Sequence, residues 1–557
     1  MKQQSLFVSK PLPKLRNTTR EHVSERDAEA RRSHLRIFRT PVESQRANRL
    51  RARVAVDRGS PMNNVQEHAS RKVPRGAPNV LCVVLDDVGF GWIDAFGGLV
   101  ETPALSRLAA SGLRYVNHHA PSSPAEARAC LLTGRNSPAS SVQGELEPSE
   151  GPDIAGVLHE HGYATLCLDD EPKVRGRSRA QRAGSTEDLV DRAATFVWHR
   201  RSEDPERPWF CCLHFAARRE PHRIGWEWTR RYTGAFDGGW DAYRRVVLDR
   251  QKKMGVVAPH TELAPMPEGS RAWESLCADE KRRFARVAEL HAGCLSHADA
   301  QLGRLLGFLD ATGQLDDTLV LLLLGPAGGD AVRAVDQFGR SAAYGSLPLE
   351  WAFASNTPFK LYEQGGRLGG TRSPLIVHWP QGLRSKGELR TQFHHVVDLA
   401  PTILSAIGIE PPPPRERRQG SMHGVALNYS FDDAGAPTKH VRQHFEVLGN
   451  RAIVSGKWKA VAHRPRTERP SRERIRFDED RWELYDLERD PSECHDLLAA
   501  NDVVDVAHPT AQKLFELVEL WWAEARRYAV LPLDGSLDPL VPARRFAARE
   551  RSPVLLQ

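Results

Sequence analysis

Several kinds of segment are missing from this 557-residue sequence, and each absence narrows the class of protein. No apolar run approaches the ~18 residues that a membrane-spanning helix needs. The opening residues, MKQQSLFVSKPLPKLRNTTREH, contain no apolar core of a secretory signal. The eight cysteines include no CxxC pair, so neither a zinc site nor a disulfide framework is indicated. These absences predict reduced cysteines and a cytoplasmic location.

Acidic residues are scarce in the first 75 positions, which hold 18 Lys and Arg against 7 Asp and Glu. This stretch carries a net charge of +11, so the rest of the chain carries −4 although the whole chain is +7. Its low apolar content predicts a disordered arm over residues 1–75, whose deletion as far as residue 61 should leave thermal stability nearly unchanged. Two alternatives stay open: an arm that contacts nucleic acid or another anionic surface, and a wrongly chosen start codon, with Met62 as the true start.

After the arm, predicted strands and helices alternate along the chain. The stretch TEDLVDRAATFVWHRR predicts a helix capped by Thr186, followed by a buried strand at 209–216. Repeated alternation predicts an α/β fold with a doubly wound, mainly parallel sheet over residues 76–425. Beyond the Pro-rich EPPPPRERRQG, short strands and a closing helix predict a small antiparallel sheet-plus-helix subdomain at 426–545 and a tail at 546–557.

Two adjacent carboxylates end the first predicted strand. The apolar run from Val80 to Leu85 leads directly into Asp86 and Asp87. The carboxyl ends of parallel strands are where open α/β sheets bind ligands. The two charges repel each other unless a positive group such as Arg128 or Lys173 lies beside them. We expect Asp86→Asn to be neutral or stabilising near neutral pH, by up to roughly 1 kcal/mol.

Several blocks of the sequence resemble the arylsulfatases, a family within the alkaline-phosphatase superfamily. They occur in the family's order over residues 76–545: PNVLCVVLDDVGFG, LLTGRN, SNTPF, SPLIVHWPQGL, HHVVDLAPTILSAIGI and WELYDLERDPSECHDL. The resemblance implies an alkaline-phosphatase-like α/β domain with a small C-terminal subdomain. It also implies sulfate-ester hydrolysis by a formylglycine, made from the Cys or Ser of a C/S-x-P-x-R motif, beside a divalent cation, usually calcium.

The nucleophile position of the family does not match. Alignment on LLTGRN places Arg128 on the arginine of the motif, Pro124 on its Cys or Ser, and Glu126 on its proline. A shifted alignment makes Ser122 or Ser123 the nucleophile but puts Glu126 where the arginine belongs. We therefore expect no formylglycine within residues 122–130.

The metal and sulfate positions fail in the same way. Asp86 and Asp87 match the family's first two calcium ligands, but Pro326 and Ala327 stand for its later Asp and Asn and offer no side-chain oxygen. Asp170 and Glu363 replace lysines, which would repel a sulfate anion. Pro172 replaces a histidine, and Arg367 stands where a histidine is common in the family.

The family residues that remain are Asp86 and Asp87 as a vestigial half of a metal site, and Arg128 and His222 as vestigial catalytic positions. The first interpretation is a catalytically inactive pseudosulfatase with no expected cofactor, where calcium would bind only if the site still works. The alternatives are a sulfatase or ester hydrolase with an altered or residual site, and the product of a decaying gene. No motif identifies a partner.

Overall fold

The computed structural model describes residues 73–136, 153–169, 181–182, 185–216, 224–325, 347–360, 365–411, 421–447, 449–463, 477, 480–499, 508–531 and 533. The predicted arm and tail lie outside these residues, apart from 73–75, and their predicted roles stay predictions.

An eight-stranded sheet forms the centre of the described chain, in the order β5-β4-β6-β1-β7-β8-β2-β9. Its strands are β1 (Asn79–Asp86), β2 (Leu113–Tyr115), β4 (Ala164–Asp169), β5 (Gln181–Arg182), β6 (Trp209–Ala216), β7 (Thr318–Leu324), β8 (Leu375–His378) and β9 (Glu388–Arg390). The neighbours from β5 to β7 are parallel, whereas β8 runs antiparallel to both β7 and β2. The predicted mainly parallel α/β sheet is confirmed, and β6 has the predicted bounds.

The apolar runs of the sequence form the inner strands because these strands are covered on both faces. Every residue of β7 is buried, and β1 alternates between two apolar clusters, with Leu81 and Val83 facing one and Val80 and Cys82 facing the other. The helices that cover the sheet are α1 (Pro103–Ser111), α2 (Pro124–Thr133), α3 (Ile154–Glu160), α4 (Thr186–Glu203), α5 (Trp226–Thr229), α6 (Gly239–Lys253), α7 (Ala278–Ala311), α8 (Leu349–Ser355), α9 (Leu368–Thr371) and α10 (Leu399–Ile407).

The predicted cap of α4 was one residue late. Ser185, rather than Thr186, is the N-cap, and its hydroxyl accepts a hydrogen bond from the Asp188 amide at 3.3 Å. Both residues are suitable caps, so only the backbone geometry distinguishes them.

A second sheet lies near the end of the described chain. Its antiparallel order is β11 (Arg442–Val447), β12 (Asn450–Ser455), β13 (Trp458–Ala462) and β14 (Glu483–Asp486). The closing helix α11 (Pro509–Arg527) packs Trp521 and Leu517 against Ile453 and Leu484 of this sheet. We call β11–β14 and α11 the C-terminal subdomain.

Two short strands, β3 (His118–His119) and β10 (His394–His395), form a separate parallel pair. No helix among the described residues combines the length and the hydropathy that crossing a bilayer requires.

Candidate functional site at the carboxyl end of the central sheet

Asp86 is the last residue of β1 and is almost fully buried, at 3% exposure. Asp87 follows in the left-handed backbone region, with φ of +58°, and is partly exposed. The turn continues through Gly89, whose amide donates to the Gly325 carbonyl at 3.0 Å, while the Gly325 amide donates to the Leu85 carbonyl at 2.8 Å. The end of β1 is thereby held against the end of β7.

Gly325 is required at this point by close approach. A Cβ atom there would lie 2.8 Å from Oδ1 of Asp86, inside any normal contact distance. The end of β7 therefore packs directly against Asp86.

A histidine from the neighbouring strand is the main partner of Asp86. His214 pairs in register with Val84 of β1, and its Nε2–H donates to Oδ2 of Asp86 in a very short contact. His214 is only 2% exposed, so the bond is shielded from water. The carboxylate is thus already bound to a side chain of this chain.

Arg128 of α2 completes the group. Its Nη1 lies 2.8 Å from Nδ1 and 3.0 Å from Nε2 of His214, and 4.0 Å from Oδ2 of Asp86. An atom in the imidazole plane could not approach both nitrogens equally without colliding with Cε1, which lies between them. The guanidinium must therefore lie over the face of the ring, where its charge also reaches Asp86.

This arrangement identifies the positive group that the adjacent carboxylates require. Arg128 was found through the sequence resemblance, whereas His214 was missed. The available signal was a single histidine inside the otherwise apolar strand WFCCLHFA, close to the strand's carboxyl end. A ring so placed in a buried strand must find a polar partner on the adjacent strand.

Asp86 and Asp87 are the family's calcium-ligand positions that the structure describes, since Pro326 and Ala327 lie outside the described residues. Calcium takes six to eight oxygen ligands, whereas Oδ2 of Asp86 here receives an imidazole N–H and faces a guanidinium. Among the described residues, no cluster of three or more His, Cys, Asp or Glu side chains has a geometry that could hold a metal ion. No chemical step is therefore assigned to a metal.

The residues that align with the family's nucleophile motif lie at the start of α2. Ser123 is the N-cap and accepts from the Glu126 amide at 3.5 Å, and Pro124 is the first helical residue. Pro124 has no nucleophilic atom, and its ring is well suited to the first turn of a helix. The hydroxyl of Ser122 is buried without a hydrogen-bond partner and faces a cavity separate from the residues around Asp86.

Arg367 is paired with side chains of the C-terminal subdomain. Its guanidinium binds Glu483 at 2.6 Å and the Tyr485 hydroxyl at 3.1 Å. Burial by itself would lower the pKa of Arg367, but the bond and charge of Glu483 raise the pKa overall. The group is therefore a paired structural cation.

The other candidate positions lie outside the described residues: Asp170, Pro172, His222, Pro326, Ala327 and Glu363. Their assignments stay predictions.

A family model described as Sulfatase matches residues 78–409, and one described as N-sulphoglucosamine sulphohydrolase, C-terminal, matches residues 367–519. An uncharacterized sulfatase of Schizosaccharomyces pombe is 26% identical, covering 80% of this chain and 92% of that protein. An arylsulfatase of Klebsiella aerogenes is 25% identical, covering 67% of this chain and 95% of that protein.

Solved structures show the same fold. The PsFucS1 sulfatase from Pseudoalteromonas sp. has a TM-score of 0.51 at 16% identity and covers 87% of this chain and 95% of its own. The phosphonate monoester hydrolase of Agrobacterium radiobacter has a TM-score of 0.50 at 17% identity, with coverages of 80% and 96%. At this identity the likeness is one of fold.

Proposed function

Because the chain belongs to the sulfatase family, we propose that it is a pseudosulfatase: a protein with the sulfatase scaffold that does not hydrolyse sulfate esters by the formylglycine route. The observation that carries the proposal is the Asp86–His214–Arg128 group. In this group, the Arg128 guanidinium supplies positive charge and the His214 imidazole supplies an N–H donor, where the family's mechanism uses a metal ion.

Electrostatics support the proposal. A buried carboxylate needs a nearby positive charge or several hydrogen bonds to stay ionised. Asp86 receives a hydrogen bond from His214 of β6 and lies 4.0 Å from the Arg128 guanidinium of α2, so its polar partners come from this chain. A calcium ion would have to displace the His214 N–H and approach the Arg128 charge, and both changes cost free energy.

The nucleophile position supports the same conclusion. Pro124 starts α2, and the neighbouring Ser123 hydroxyl is occupied in capping that helix. Because Pro124 offers no nucleophilic side chain and His214 already binds Asp86, a scaffold role in binding or regulation is the function that we propose. The prediction of a cytoplasmic location also stays part of this proposal.

A second candidate is a hydrolase with altered chemistry. The specific observation in its favour is the Asp86–His214 pair, because a carboxylate that orients an imidazole is half of a common general-base device. Arg128 argues against it, since the guanidinium covers the face of the same ring and disfavours an imidazolium.

The deciding experiment uses the full chain co-expressed with a formylglycine-generating enzyme. We expect no turnover of an aryl sulfate, no aldehyde in the peptide spanning residues 122–130 by mass spectrometry, and no rise in melting temperature with calcium. Turnover that chelator abolishes, or a calcium-dependent rise that disappears in Asp86→Asn, would refute the pseudosulfatase. Turnover that is insensitive to chelator and lost in His214→Gln would instead establish the altered hydrolase.

A further inference from the structure

A cluster of buried histidines lies between the central α/β fold and the C-terminal subdomain. We call it the histidine seam; its members are His118, His119, His394, His395, His440 and His444. The pairing of β3 with β10 places His394 beside His118 and His395 beside His119. The rings of His395 and His440 are 6.3 Å apart, and every member is at most 7% exposed.

One buried carboxylate serves two of these rings. Asp398, with no exposed surface, accepts from Nδ1 of His394 at 2.9 Å and from Nδ1 of His440 at 2.8 Å. It also accepts from the amides of His395 at 3.0 Å and Val425 at 2.7 Å. Asp398 can neutralise a single imidazolium, so it leaves the remaining rings without a counter-ion of their own.

Four other ring nitrogens in the seam are buried with no hydrogen-bond partner: Nε2 of His118, Nδ1 of His119, Nε2 of His395 and Nδ1 of His444. In His118 the unpaired nitrogen is an acceptor, because Nδ1–H donates to the Ser373 carbonyl at 2.7 Å. In His395 the unpaired nitrogen carries the hydrogen, because Nδ1 accepts from the Val397 amide at 3.5 Å. An imidazolium donates from both nitrogens, so protonation there would bury a charge and an unsatisfied N–H together.

The groups around the seam carry charges of both signs. Arg372 and Lys459 lie beside His119, and Lys459 is paired with Glu493. His423 and Tyr528 lie beside His444, Tyr429 beside His394, and Gln443 beside His440. The adjoining cavity is lined by Glu126, Cys130 and Glu446. His423 in turn lies near the positive charges of Arg135 and Arg527.

The physical consequence is that these rings resist protonation. Burial lowers the pKa of His118 and of His444 to about 4, and it lowers the pKa of His119 and His395 well below the usual value. His440 behaves oppositely: burial lowers its pKa, but the charge of Asp398 outweighs burial and raises the pKa overall.

A small cavity adjoins the seam. It has a volume of about 30 Å³ and is lined by Ser122, Glu126, His395 and His444, among others. A cavity of this size with several polar groups can hold one or two water molecules. Water there would satisfy the Ser122 hydroxyl and could carry protons to the two rings.

We propose that the histidine seam is an acid-sensitive joint that holds the C-terminal subdomain on the α/β fold at neutral pH and releases it on acidification. Rings with a depressed pKa stabilise the folded joint above their ordinary value near pH 6.5, and this stabilisation is lost as the pH falls towards 4. His440 opposes this loss of stability, because its raised pKa favours the folded joint on acidification. The stability contributed by the Asp398 carboxylate is lost only below about pH 4.

The test follows hydrogen exchange and urea unfolding of the full chain between pH 7.5 and 4.5. After correction for intrinsic exchange rates, peptides from β11 and α11 should lose protection at pH 5 before peptides from β1 and β7. Equal retention of protection in all four elements down to pH 4.5 would overturn the proposal, and this measurement needs no variant.

A variant of one seam histidine, with a matched control, tests whether that ring takes up a proton on unfolding. His444→Phe keeps the stacking on Tyr528, whose ring lies 5.2 Å away, but cannot titrate. Its unfolding should take up about one proton fewer between pH 6.5 and 4.5 than that of the wild type. The control His495→Gln alters a histidine that is 66% exposed and should leave the uptake unchanged. Identical uptake in His444→Phe and the wild type would contradict the assignment.

Discussion

Two buried carboxylates, Asp86 and Glu493, are neutralised in different ways. Asp86 divides its charge between His214 and Arg128, which come from separate elements of the α/β fold. Glu493 depends on Lys459 at 2.6 Å, with neither side chain exposed, and it also accepts from the Leu368 amide at 2.8 Å. The first carboxylate stands at the carboxyl end of the central parallel strands, and the second ties the C-terminal subdomain to α9.

The difference shows that a buried charge does not by itself mark an active site. Burial lowers the pKa of Lys459 to about 8 even though Glu493 lies beside it, so desolvation outweighs the attraction within that pair. Removing one member of such a pair should lower the free energy of unfolding strongly, because the other charge stays buried without a counter-ion. Where several groups share a charge, changing one of them should lower the free energy of unfolding less.

The largest expected effect comes from breaking the tighter pair. Glu493→Gln keeps an acceptor for the Leu368 amide but leaves the Lys459 charge buried without a counter-ion. We expect a loss of roughly 3–5 kcal/mol in the free energy of unfolding, measured by urea denaturation.

The control is Glu493→Gln combined with Lys459→Met, which removes both charges and should recover part of the loss. A single-variant loss below about 1 kcal/mol would show that water reaches Lys459 and that the contrast with Asp86 is false.

An intermediate effect is expected at Asp86. Repulsion between Asp86 and Asp87 alone would make Asp86→Asn neutral or stabilising, but the structure supplies His214 and Arg128 as partners. We therefore expect Asp86→Asn to be destabilising by about 1–3 kcal/mol in thermal or urea unfolding, the scale of a hydrogen bond to a charged group.

Asp87→Asn is the matched control. Asp87 is partly exposed at φ +58°, a conformation that asparagine adopts readily, so the change should stay within about 0.5 kcal/mol. An equal loss at both positions would mean that the His214 and Arg128 contacts do not distinguish Asp86 from its neighbour.

The smallest effect is expected at the surface. Asp249 and Lys253 form an ion pair on α6 with 61% and 73% of their side chains exposed. Asp249→Asn should change the free energy of unfolding by less than about 0.5 kcal/mol, and less still at high salt. If Asp249→Asn lowered the free energy of unfolding as much as Asp86→Asn does, burial would not explain the different effects expected at Glu493, Asp86 and Asp249.

Local pattern was sufficient for much of the fold. The apolar runs of β1, β6 and β7 predicted buried parallel strands, and the stretch beginning HPTAQKLFELVELWW predicted the closing helix. These elements follow from side-chain periodicity and burial, which are properties of neighbouring residues. The site was predictable only in part: Asp86 and Arg128 came from motifs, whereas His214 has no motif.

The sequence by itself determined the strands, most of the helices, the family resemblance and the adjacency of Asp86 and Asp87. Tertiary structure decided which charges meet. His214 reaches Asp86 because β6 pairs with β1 in one register, and the dipeptides His118–His119 and His394–His395 meet because β3 pairs with β10. Pairing between distant segments depends on the packing of the whole sheet, and a one-residue change of register would turn each of these side chains to the opposite face.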